Sequence, residues 1–167
     1  MNGVSNKGLV INGWTVFAHP LFLTQLEQLI SQVEILKKKD PIGYTKKNAS
    51  KRLAAINKLA FEVIPQDPMR IEYRQGATLG TDRKHWFRAK FFQQYRLFFR
   101  YHAQVKMIVY VWVNDENTKR AYESSDDAYL VFRNMLESGR PPDDWEQLIK
   151  EAQTALPRLR RYTLHEK

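Results

Sequence analysis

Four cationic side chains with aromatic neighbours are the first candidates for chemistry in this chain. They form two pairs, Arg88 with Lys90 and Arg96 with Arg100. Residues two or four apart in a β-strand project to the same face, so each pair shares a face, with Phe98 between the two arginines of the second pair. Like charges crowded on a sheet lower its stability unless an anion neutralises them, which favours a concave phosphate site. The alternative, which composition alone favours, is an ordinary solvated sheet face.

Arginine and lysine in a shared pocket, with a tyrosine nearby, suit the cleavage of RNA. The 2′-hydroxyl of RNA is itself the nucleophile. The protein has to supply a base for its proton, cations for the negatively charged phosphorane and an acid for the leaving 5′-oxygen. Neighbouring cations and partial burial lower the pKa of a lysine toward the range in which it acts as a base. No metal ion is needed for these steps.

The residues that must position these groups are predicted to form a β-sheet. Residues 86–122 are rich in aromatic and β-branched side chains, alternate in places with period two and contain no proline. This composition predicts consecutive antiparallel strands. The last of them, Lys106–Val113, is followed by the polar run 114–118, and loops at strand ends often carry functional groups.

Two helices are predicted before this sheet. The first begins at Pro20, whose missing N–H costs nothing in a first helical turn, and continues to about Lys38. The second spans about Lys46–Ile64. Both have apolar residues at helical spacing, so we expect a helical hairpin lying against one face of the sheet. Between this hairpin and the sheet, Ile71 and Tyr73 alternate like a short strand.

Two more helices are predicted after the sheet. Ser124 and Asp127 resemble a capping box that opens the first, and Gly139 ends it. Asp143 and Glu146 are predicted to cap the second.

The chain is expected to form one domain with short ends. Residues 1–11 form a flexible lead-in, residues 12–156 the domain and residues 157–167 a basic tail, which we expect to be disordered. A length of 167 residues with 43% hydrophobic residues supports a single core. The absence of cysteine excludes disulfides, cysteine-ligated metals and thiol nucleophiles.

Net charge and hydropathy indicate which classes of molecule the protein could bind and where it is located. The 27 Lys and Arg residues exceed the 18 Asp and Glu residues by 9, which favours nucleic acid first, an acidic protein second and an anionic membrane third. No stretch approaches the roughly 20 apolar residues that cross a bilayer, and the first residues lack the apolar core of a signal peptide, so we expect a cytoplasmic protein. No glycine-rich phosphate loop, G-x-S-x-G or H-E-x-x-H motif occurs.

Several motifs, in order along the chain, resemble one family. They are N-G-W-T-V-F-A-H-P, Y-R-L-F-F-R-Y, W-V-N-D-E-N-T, D-A-Y-L-V-F and G-R-P-P-D-D-W. Together they are similar to the YhaV toxins, ribonuclease components of bacterial type II toxin-antitoxin pairs, from about Asn12 to the helix after Trp145. YhaV toxins in turn resemble the RelE-type mRNA interferases. The resemblance implies an α+β, RelE-like fold: an N-terminal helical hairpin packed on a small twisted, mainly antiparallel β-sheet, with C-terminal helices.

The resemblance also implies roles for individual residues. Arg88 and Lys90 fall where RelE-type toxins have two lysines on a strand. Arg96 matches the arginine of their Y-R-L motif, and Tyr122 matches a tyrosine near the start of their C-terminal helix. The hypothesis is that Arg96, with Arg88 or Arg100, binds the scissile phosphate. Lys90 then acts as base or additional clamp, and Tyr122 as acid or stacking platform.

The polar loop departs from the RelE pattern. Glu116 occupies the position of the RelE loop arginine. Either Arg120 supplies that cation from further along, or Glu116 is a carboxylate base, and the sequence leaves both open. Asp115 and Glu116 could instead cap the next turn or neutralise nearby arginines. Tyr122 and Tyr129 could be half-buried helix aromatics.

Histidines offer a different acid–base pair. They are scattered along the chain, at His19, His85, His102 and His165. A ribonuclease with two catalytic histidines needs tertiary proximity that a sequence does not reveal, and four dispersed histidines without cysteine do not favour a metal site. His85 is the best candidate because it stands beside Trp86 at the start of the cationic strands.

The resemblance implies a metal-independent endoribonuclease toxin without a cofactor, which cleaves mRNA at the ribosome and stops translation and growth. It implies an AbrB-like antitoxin whose acidic or extended segment covers the cationic site. The toxin-antitoxin complex would repress its own operon, with operator DNA contacted chiefly by the antitoxin. The alternative is a non-catalytic basic domain that binds RNA or the ribosome and blocks translation by occupancy.

Overall fold

The computed structural model describes residues 8–115 and 127–165, which form five strands and five helices. The strands are β1 (Leu9–Ile11), β2 (Trp14–Ala18), β3 (Phe87–Phe91), β4 (Tyr95–His102) and β5 (Met107–Val113). The helices are α1 (Pro20–Lys39), α2 (Asn48–Lys58), α3 (Ala128–Glu137), α4 (Trp145–Thr154) and α5 (Leu156–His165). The fold class is therefore α+β, as predicted. Within the described ranges, no helix is both long and apolar enough to span a membrane.

The strands form one mixed sheet in the order β1-β2-β5-β4-β3. Neighbours pair antiparallel except β2 and β5, which pair in parallel with Thr15 opposite Met107. The consecutive antiparallel strands predicted from residues 86–122 are confirmed as β3, β4 and β5. Because β3 lies at the edge, no strand among residues 8–115 and 127–165 pairs with its outer side, where Arg74 forms an isolated bridge to Phe87.

The register of β3 and β4 defines a cationic face. Lys90 lies directly opposite Arg96, and Arg88 lies opposite Phe98. Residues directly opposite one another in an antiparallel pair project to the same face. The predicted sharing of one face by these cations is therefore confirmed, and Arg100 lies on it as well because it is four residues from Arg96 along the strand.

The opposite face packs on the N-terminal helices, which confirms the predicted hairpin. Phe22 of α1 contacts the ring of Tyr110, with ring centroids 5.8 Å apart, and the buried Tyr110 hydroxyl donates to the carbonyl of Ala60 at 2.5 Å. The predicted second helix is shorter than expected: α2 ends at Lys58 and residues 59–63 widen into a π-helical turn. This wider turn contains Ala60, whose carbonyl accepts the hydrogen bond from Tyr110.

Helix α3 and the start of α4 cover the middle of the cationic face. The ring of Phe132 in α3 stacks on Phe98 at 4.3 Å and on Trp112 at 5.6 Å. Phe98 and Phe132 are fully buried. The middle of the cationic face is therefore covered by a helix, while Lys90 at the edge of the sheet remains exposed.

Two local predictions differ from the structure, and a third falls outside the described residues. Ile71–Tyr73 forms a 3-10 turn rather than a strand, because Tyr73 turns into the core while Ile71 is 75% exposed. Helix α4 is capped by Asp144, whose carboxylate accepts the N–H of Gln147 at 3.0 Å, not by Asp143. Ser124 of the predicted capping box lies outside the described residues.

The two chain ends are more regular than the sequence indicated. Residues 9–11 of the expected lead-in form β1 and pair with β2. The expected disordered tail is wrong for residues 157–165, which belong to α5. Arg158 of α5 pairs with Glu27 of α1 at 2.8 Å, and the Tyr162 ring packs 5.9 Å from Phe61. Burial of apolar α5 side chains explains the order, since it outweighs the basic character of the segment.

Candidate active site

Three cations, here called the cationic cluster, gather where β3 and β4 meet α3. They are Arg88, Lys90 and Arg96. The Tyr129 hydroxyl of α3 accepts hydrogen bonds from Arg88 Nε at 2.7 Å and from Arg96 Nε at 3.1 Å. The Arg96 guanidinium also lies over the Tyr129 ring, 5.8 Å from its centroid. One tyrosine therefore fixes two of the three cations relative to each other.

Arg96 is held by backbone oxygens as well. Its Nη1 donates to the carbonyls of Gln93 at 2.7 Å and Tyr95 at 3.0 Å, and the residue is only 5% exposed. Its backbone N–H donates to the Asn114 side chain at 2.6 Å, and Asn114 in turn donates to the Gln94 carbonyl at 3.0 Å. Arg96 thus organises the turn between β3 and β4 and the end of β5. Because its guanidinium is buried and bonded within the protein, little of its surface is accessible to a substrate.

Arg88 and Lys90 are the accessible members of the cluster. Lys90 is exposed, and Arg88 is half-buried with its Nη1 donating to the Glu72 carbonyl at 2.8 Å. Both line a cleft of about 420 Å³ at the outer edge of β3, together with Arg74. In the part of the chain that the structure describes, no carboxylate forms an ion pair with any member of the cluster. The positive charge of this edge is therefore available to a bound anion.

Arg100 stands apart from the cluster. Its guanidinium lies between the rings of Trp86 and Trp145, 5.4 and 5.3 Å from their centroids, and its Nη1 donates to the Asp143 carbonyl at 2.6 Å. Burial lowers the pKa of Arg100, while the charges of Asp143 and Asp144 act in the other direction. Four strand residues, roughly 13 Å, separate Arg100 from Arg96, and buried aromatic rings lie between. The four cations therefore do not all converge on one phosphate, because Arg100 lies apart from the other three.

Asp143 is the centre of this second group. Its Oδ1 accepts hydrogen bonds from Trp86 Nε1 at 2.6 Å and His85 Nε2 at 2.8 Å. Burial alone would raise the pKa of the Asp143 carboxyl. The hydrogen bonds from Trp86 and His85 and the charges of His85 and Arg100 outweigh burial, so the pKa is lowered. Asp143 is therefore held as a carboxylate beside the histidine.

The remaining predicted site residues, Glu116, Arg120 and Tyr122, lie outside the described residues. Two described residues near this part of the chain, Asn114 and Tyr129, contact Arg96. Asn114 binds the backbone N–H of Arg96, and Tyr129 binds its guanidinium.

The histidines contact different partners. His19 bonds Glu151 at 2.7 Å, His85 bonds Asp143, and the His102 ring lies 5.6 Å from the Trp145 ring. In residues 8–115 and 127–165, no three histidine or acidic side chains form a group that could hold a metal ion.

Sequence reasoning missed three residues that organise the site. Tyr129 is interpreted from sequence only as a possible helix aromatic, Asp143 as a helix cap, and Asn114 as one member of a polar loop. Their partners lie 33, 58 and 18 residues away in the chain. The alternating pattern that predicts the strands carries no information about contacts between elements. The available signal was that all three residues lie in the motifs that resemble the YhaV toxins, W-V-N-D-E-N-T, D-A-Y-L-V-F and G-R-P-P-D-D-W.

A domain with this net charge, this mixed sheet and an edge cleft lined by cations has the features of a nucleic-acid-binding protein. Residues 16–153 match the family model of the YhaV toxins, described as a toxin with endonuclease activity, of a toxin-antitoxin system. The chain belongs to the YhaV toxin family, so the resemblance inferred from its motifs is confirmed. It is accordingly a toxin with endonuclease activity, and its toxin-antitoxin system supplies an antitoxin as partner.

Named relatives agree with the family match. The chain is 46% identical over 145 residues to Ribonuclease toxin YhaV of Escherichia coli strain K12, covering 86% of this chain and 94% of the relative. Identity and coverage are the same for proteins named Toxin YhaV from Escherichia coli O157:H7 and O6:H1. No solved structure gives a significant match to the chain.

Proposed function

We propose that this toxin is a metal-independent endoribonuclease that cleaves mRNA and thereby stops translation and growth. The observation that carries the proposal is the cationic cluster, in which Lys90 faces Arg96 across the strand pair, without an ion-pair partner among the described carboxylates. Cations that crowd without a counter-charge favour a bound polyanion. The name of the Escherichia coli K12 relative, a ribonuclease toxin, supports RNA as that polyanion.

Within this proposal the cations have different tasks. Lys90 and Arg88, which line the cleft, bind the scissile phosphate and stabilise the charge that develops as the 2′-oxygen attacks. Arg96, which is buried among carbonyl oxygens, positions them through the β3–β4 turn and Tyr129. Tyr122 remains the proposed acid or stacking platform. The two alternatives for the polar loop also remain proposals: either Arg120 supplies an additional cation, or Glu116 is a carboxylate base.

We also propose a RelE-like fold, action at the ribosome, an AbrB-like antitoxin and autoregulation of the operon. The helical hairpin packed on a mainly antiparallel sheet supports a RelE-like fold and, with it, action at the ribosome in the cytoplasm. An AbrB-like antitoxin with an acidic or extended segment suits the edge cleft, where positive charge and the open side of β3 coincide. Autoregulation then follows if the complex binds operator DNA through the antitoxin.

The test is cleavage of an end-labelled RNA by the purified protein in excess EDTA. We expect new 5′-hydroxyl and 2′,3′-cyclic phosphate ends, which 2′-hydroxyl attack produces. Loss of cleavage in EDTA, with recovery on adding Mg²⁺, would contradict the metal-independent mechanism. RNA that is shifted on a native gel but stays intact, with or without ribosomes, would instead identify a non-catalytic binding domain.

A second assay tests the proposed antitoxin surface. The toxin and its antitoxin are co-purified at rising ionic strength, first with wild-type toxin and then with Lys90→Glu. Charge reversal at the cleft is expected to weaken binding at least about tenfold. Reversal of the exposed Lys150 on α4 should have little effect, because Lys150 does not line the cleft and its charge is screened by solvent. Equal affinities would place the antitoxin elsewhere.

A further inference from the structure

The turn between β3 and β4 carries the most exposed aromatic side chain in residues 8–115 and 127–165. Phe92 is 50% exposed, whereas the other phenylalanine, tyrosine and tryptophan side chains in these ranges are buried or half-buried. Hairpin turns are usually built from small and polar residues, because a large apolar side chain gains little from burial there. A phenylalanine at this position therefore contributes little to the stability of the fold.

The backbone beneath the Phe92 ring is strained. Phe92 and Gln93 both have positive φ, 48° and 66°. The N–H of Gln94 donates to the carbonyl of Phe92 at 2.7 Å, which makes Gln93 the central residue of a γ-turn. Side chains with a Cβ disfavour positive φ, and turns of this kind normally have glycine, asparagine or aspartate there. The chain thus has a bulky ring where a smaller residue would fit with less strain.

Neighbouring residues hold this strained turn in place. Arg96 Nη1 donates to the carbonyl of Gln93 at 2.7 Å, and Asn114 donates to the carbonyl of Gln94 at 3.0 Å. Asn114 also accepts the backbone N–H of Arg96 at 2.6 Å. Backbone strain that the surrounding structure maintains is typical of functional sites. These bonds fix the turn, and with it Phe92, relative to the cationic cluster.

Phe92 lies close to the cations that are proposed to bind phosphate. It follows Lys90 by two residues, so the two Cα atoms are at most about 7 Å apart whatever the shape of the turn. The Lys90 side chain lines the edge cleft. A base one or two nucleotides away from a phosphate bound by Lys90 therefore reaches the Phe92 ring.

Phe92 is also the exposed end of a row of aromatic rings. Its ring lies 5.5 Å from that of Phe91, and Phe91 stacks on Tyr95 at 5.2 Å. The guanidinium of Arg52 in α2 lies 5.3 Å from the centroid of Tyr95. The row therefore has Lys90 beside one end and Arg52 at the other. Proteins bind single-stranded nucleic acid with this combination, in which cations contact the phosphates and exposed rings stack on the bases.

We propose that Phe92 is a stacking platform for a base of the RNA substrate, next to the phosphate that Lys90 binds; the inference rests on the proposed ribonuclease activity. Stacking does not depend on the hydrogen-bonding edge of a base, so the ring adds affinity for any RNA sequence. Purines should be preferred at this position because they offer the larger stacking surface. The strained turn keeps the ring directed away from the core.

The kinetic test compares Phe92→Asn with Phe92→Trp. Asparagine tolerates positive φ, so Phe92→Asn removes the ring and relieves the strain together. We expect KM for RNA to rise about 5- to 100-fold, with kcat within about threefold of wild type. The melting temperature should be unchanged or higher, whereas loss of a structural ring would lower it. Phe92→Trp keeps an aromatic face and should retain the wild-type KM.

Val105→Asn is the matched control. Val105 is 53% exposed and lies in the turn between β4 and β5. The eight residues of β4 separate the two turns by roughly 23 Å. Removing this exposed apolar side chain should leave KM for RNA unchanged. An equal rise of KM in Val105→Asn and Phe92→Asn would show a general effect of surface hydrophobicity and overturn the proposal.

A binding experiment detects the stacked base directly. It uses a 2′-fluoro RNA, which lacks the attacking hydroxyl and stays intact, with 2-aminopurine placed at each position in turn. Stacking quenches the fluorescence of 2-aminopurine. We expect wild type and Phe92→Trp to quench one position and Phe92→Asn to leave that position bright while still binding the RNA. Equal quenching by wild type and Phe92→Asn would exclude the platform.

The outcomes separate this inference from the proposed function. Wild-type protein that neither binds nor cleaves RNA, alone or with ribosomes, would remove the proposed function itself. Wild-type cleavage with an unchanged KM in Phe92→Asn would overturn only the stacking role. A melting temperature lowered by more than about 4 °C would place the ring in the core and also overturn it. Weaker antitoxin binding by Phe92→Asn with unchanged RNA affinity would assign the ring to the antitoxin instead.

Discussion

Arg96 and Tyr129 are joined twice, by a hydrogen bond of 3.1 Å from Nε to the hydroxyl and by the guanidinium lying 5.8 Å from the ring centroid. These contacts attach β4 to α3. Because Arg88 bonds the same hydroxyl at 2.7 Å, Tyr129 also determines the spacing of the cationic cluster. The geometry of the candidate active site thus depends on a helix that lies between the sheet and the solvent.

Arg96→Ala should therefore lower stability as well as activity. The substitution leaves the Tyr129 hydroxyl and the carbonyls of Gln93 and Tyr95 without this donor, which costs at least about 2 kcal/mol of unfolding free energy. Urea unfolding of Arg96→Ala, Tyr129→Phe and the double variant measures their coupling. Strict additivity of the two losses would show that the contacts contribute nothing jointly.

Lys90→Ala should act on cleavage alone. The side chain is exposed and makes no ion pair with the described carboxylates, so the melting temperature should hardly change. Loss of one charge that stabilises the phosphorane lowers kcat by about 10²-fold or more. Lys150→Ala is the control, because that lysine is equally exposed but lies on α4. Equal rates for the two variants would remove Lys90 from the mechanism.

His19 should make the protein sensitive to mild acid. Burial lowers the pKa of His19 despite its hydrogen bond to Glu151, so the folded state binds the proton less readily than the unfolded state. Its contribution to stability is therefore complete above the unfolded pKa, near 6.5, and is lost as the pH falls below it. The unfolding free energy at pH 7 minus that at pH 5.5 should be larger for wild type than for His19→Gln. A larger difference in the variant would reverse this sign.

The last helix should contribute to the core. Leu159 is 1% exposed, and truncation to alanine should lower the unfolding free energy by about 2–5 kcal/mol. Arg161 lies nearby on α5 and is exposed, so Arg161→Ala should change the unfolding free energy by less than about 0.5 kcal/mol. Thermal unfolding of both variants distinguishes a packed helix from a basic tail, for which the two substitutions would be equivalent.

The strands and the first helix were predictable because their signals are local. Period-two alternation places Arg88 and Lys90 on one face whatever lies above that face. It does not reveal that Phe132 covers the neighbouring Phe98 and so separates Arg100 from Arg96. That division depends on contacts between elements that are distant in sequence.

The C-terminal helix was missed for a different reason. Leu156, Leu159 and Tyr162 recur every three residues, which is helical spacing, and all three are buried. The arginines between them gave the segment the composition of a disordered tail. A short apolar stripe stabilises a helix only when a partner surface is present, here one that includes β2 and α4, and the sequence does not show that surface.

The parallel pairing of β2 with β5 has a consequence for how the toxin is made. β2 is synthesised long before its partner strand, which begins only at Met107. Arg100 is enclosed later still, once Asp143 and Trp145 have emerged. A nascent chain that has not reached Trp145 lacks the finished cationic face, so this face is completed only after all five strands have been synthesised.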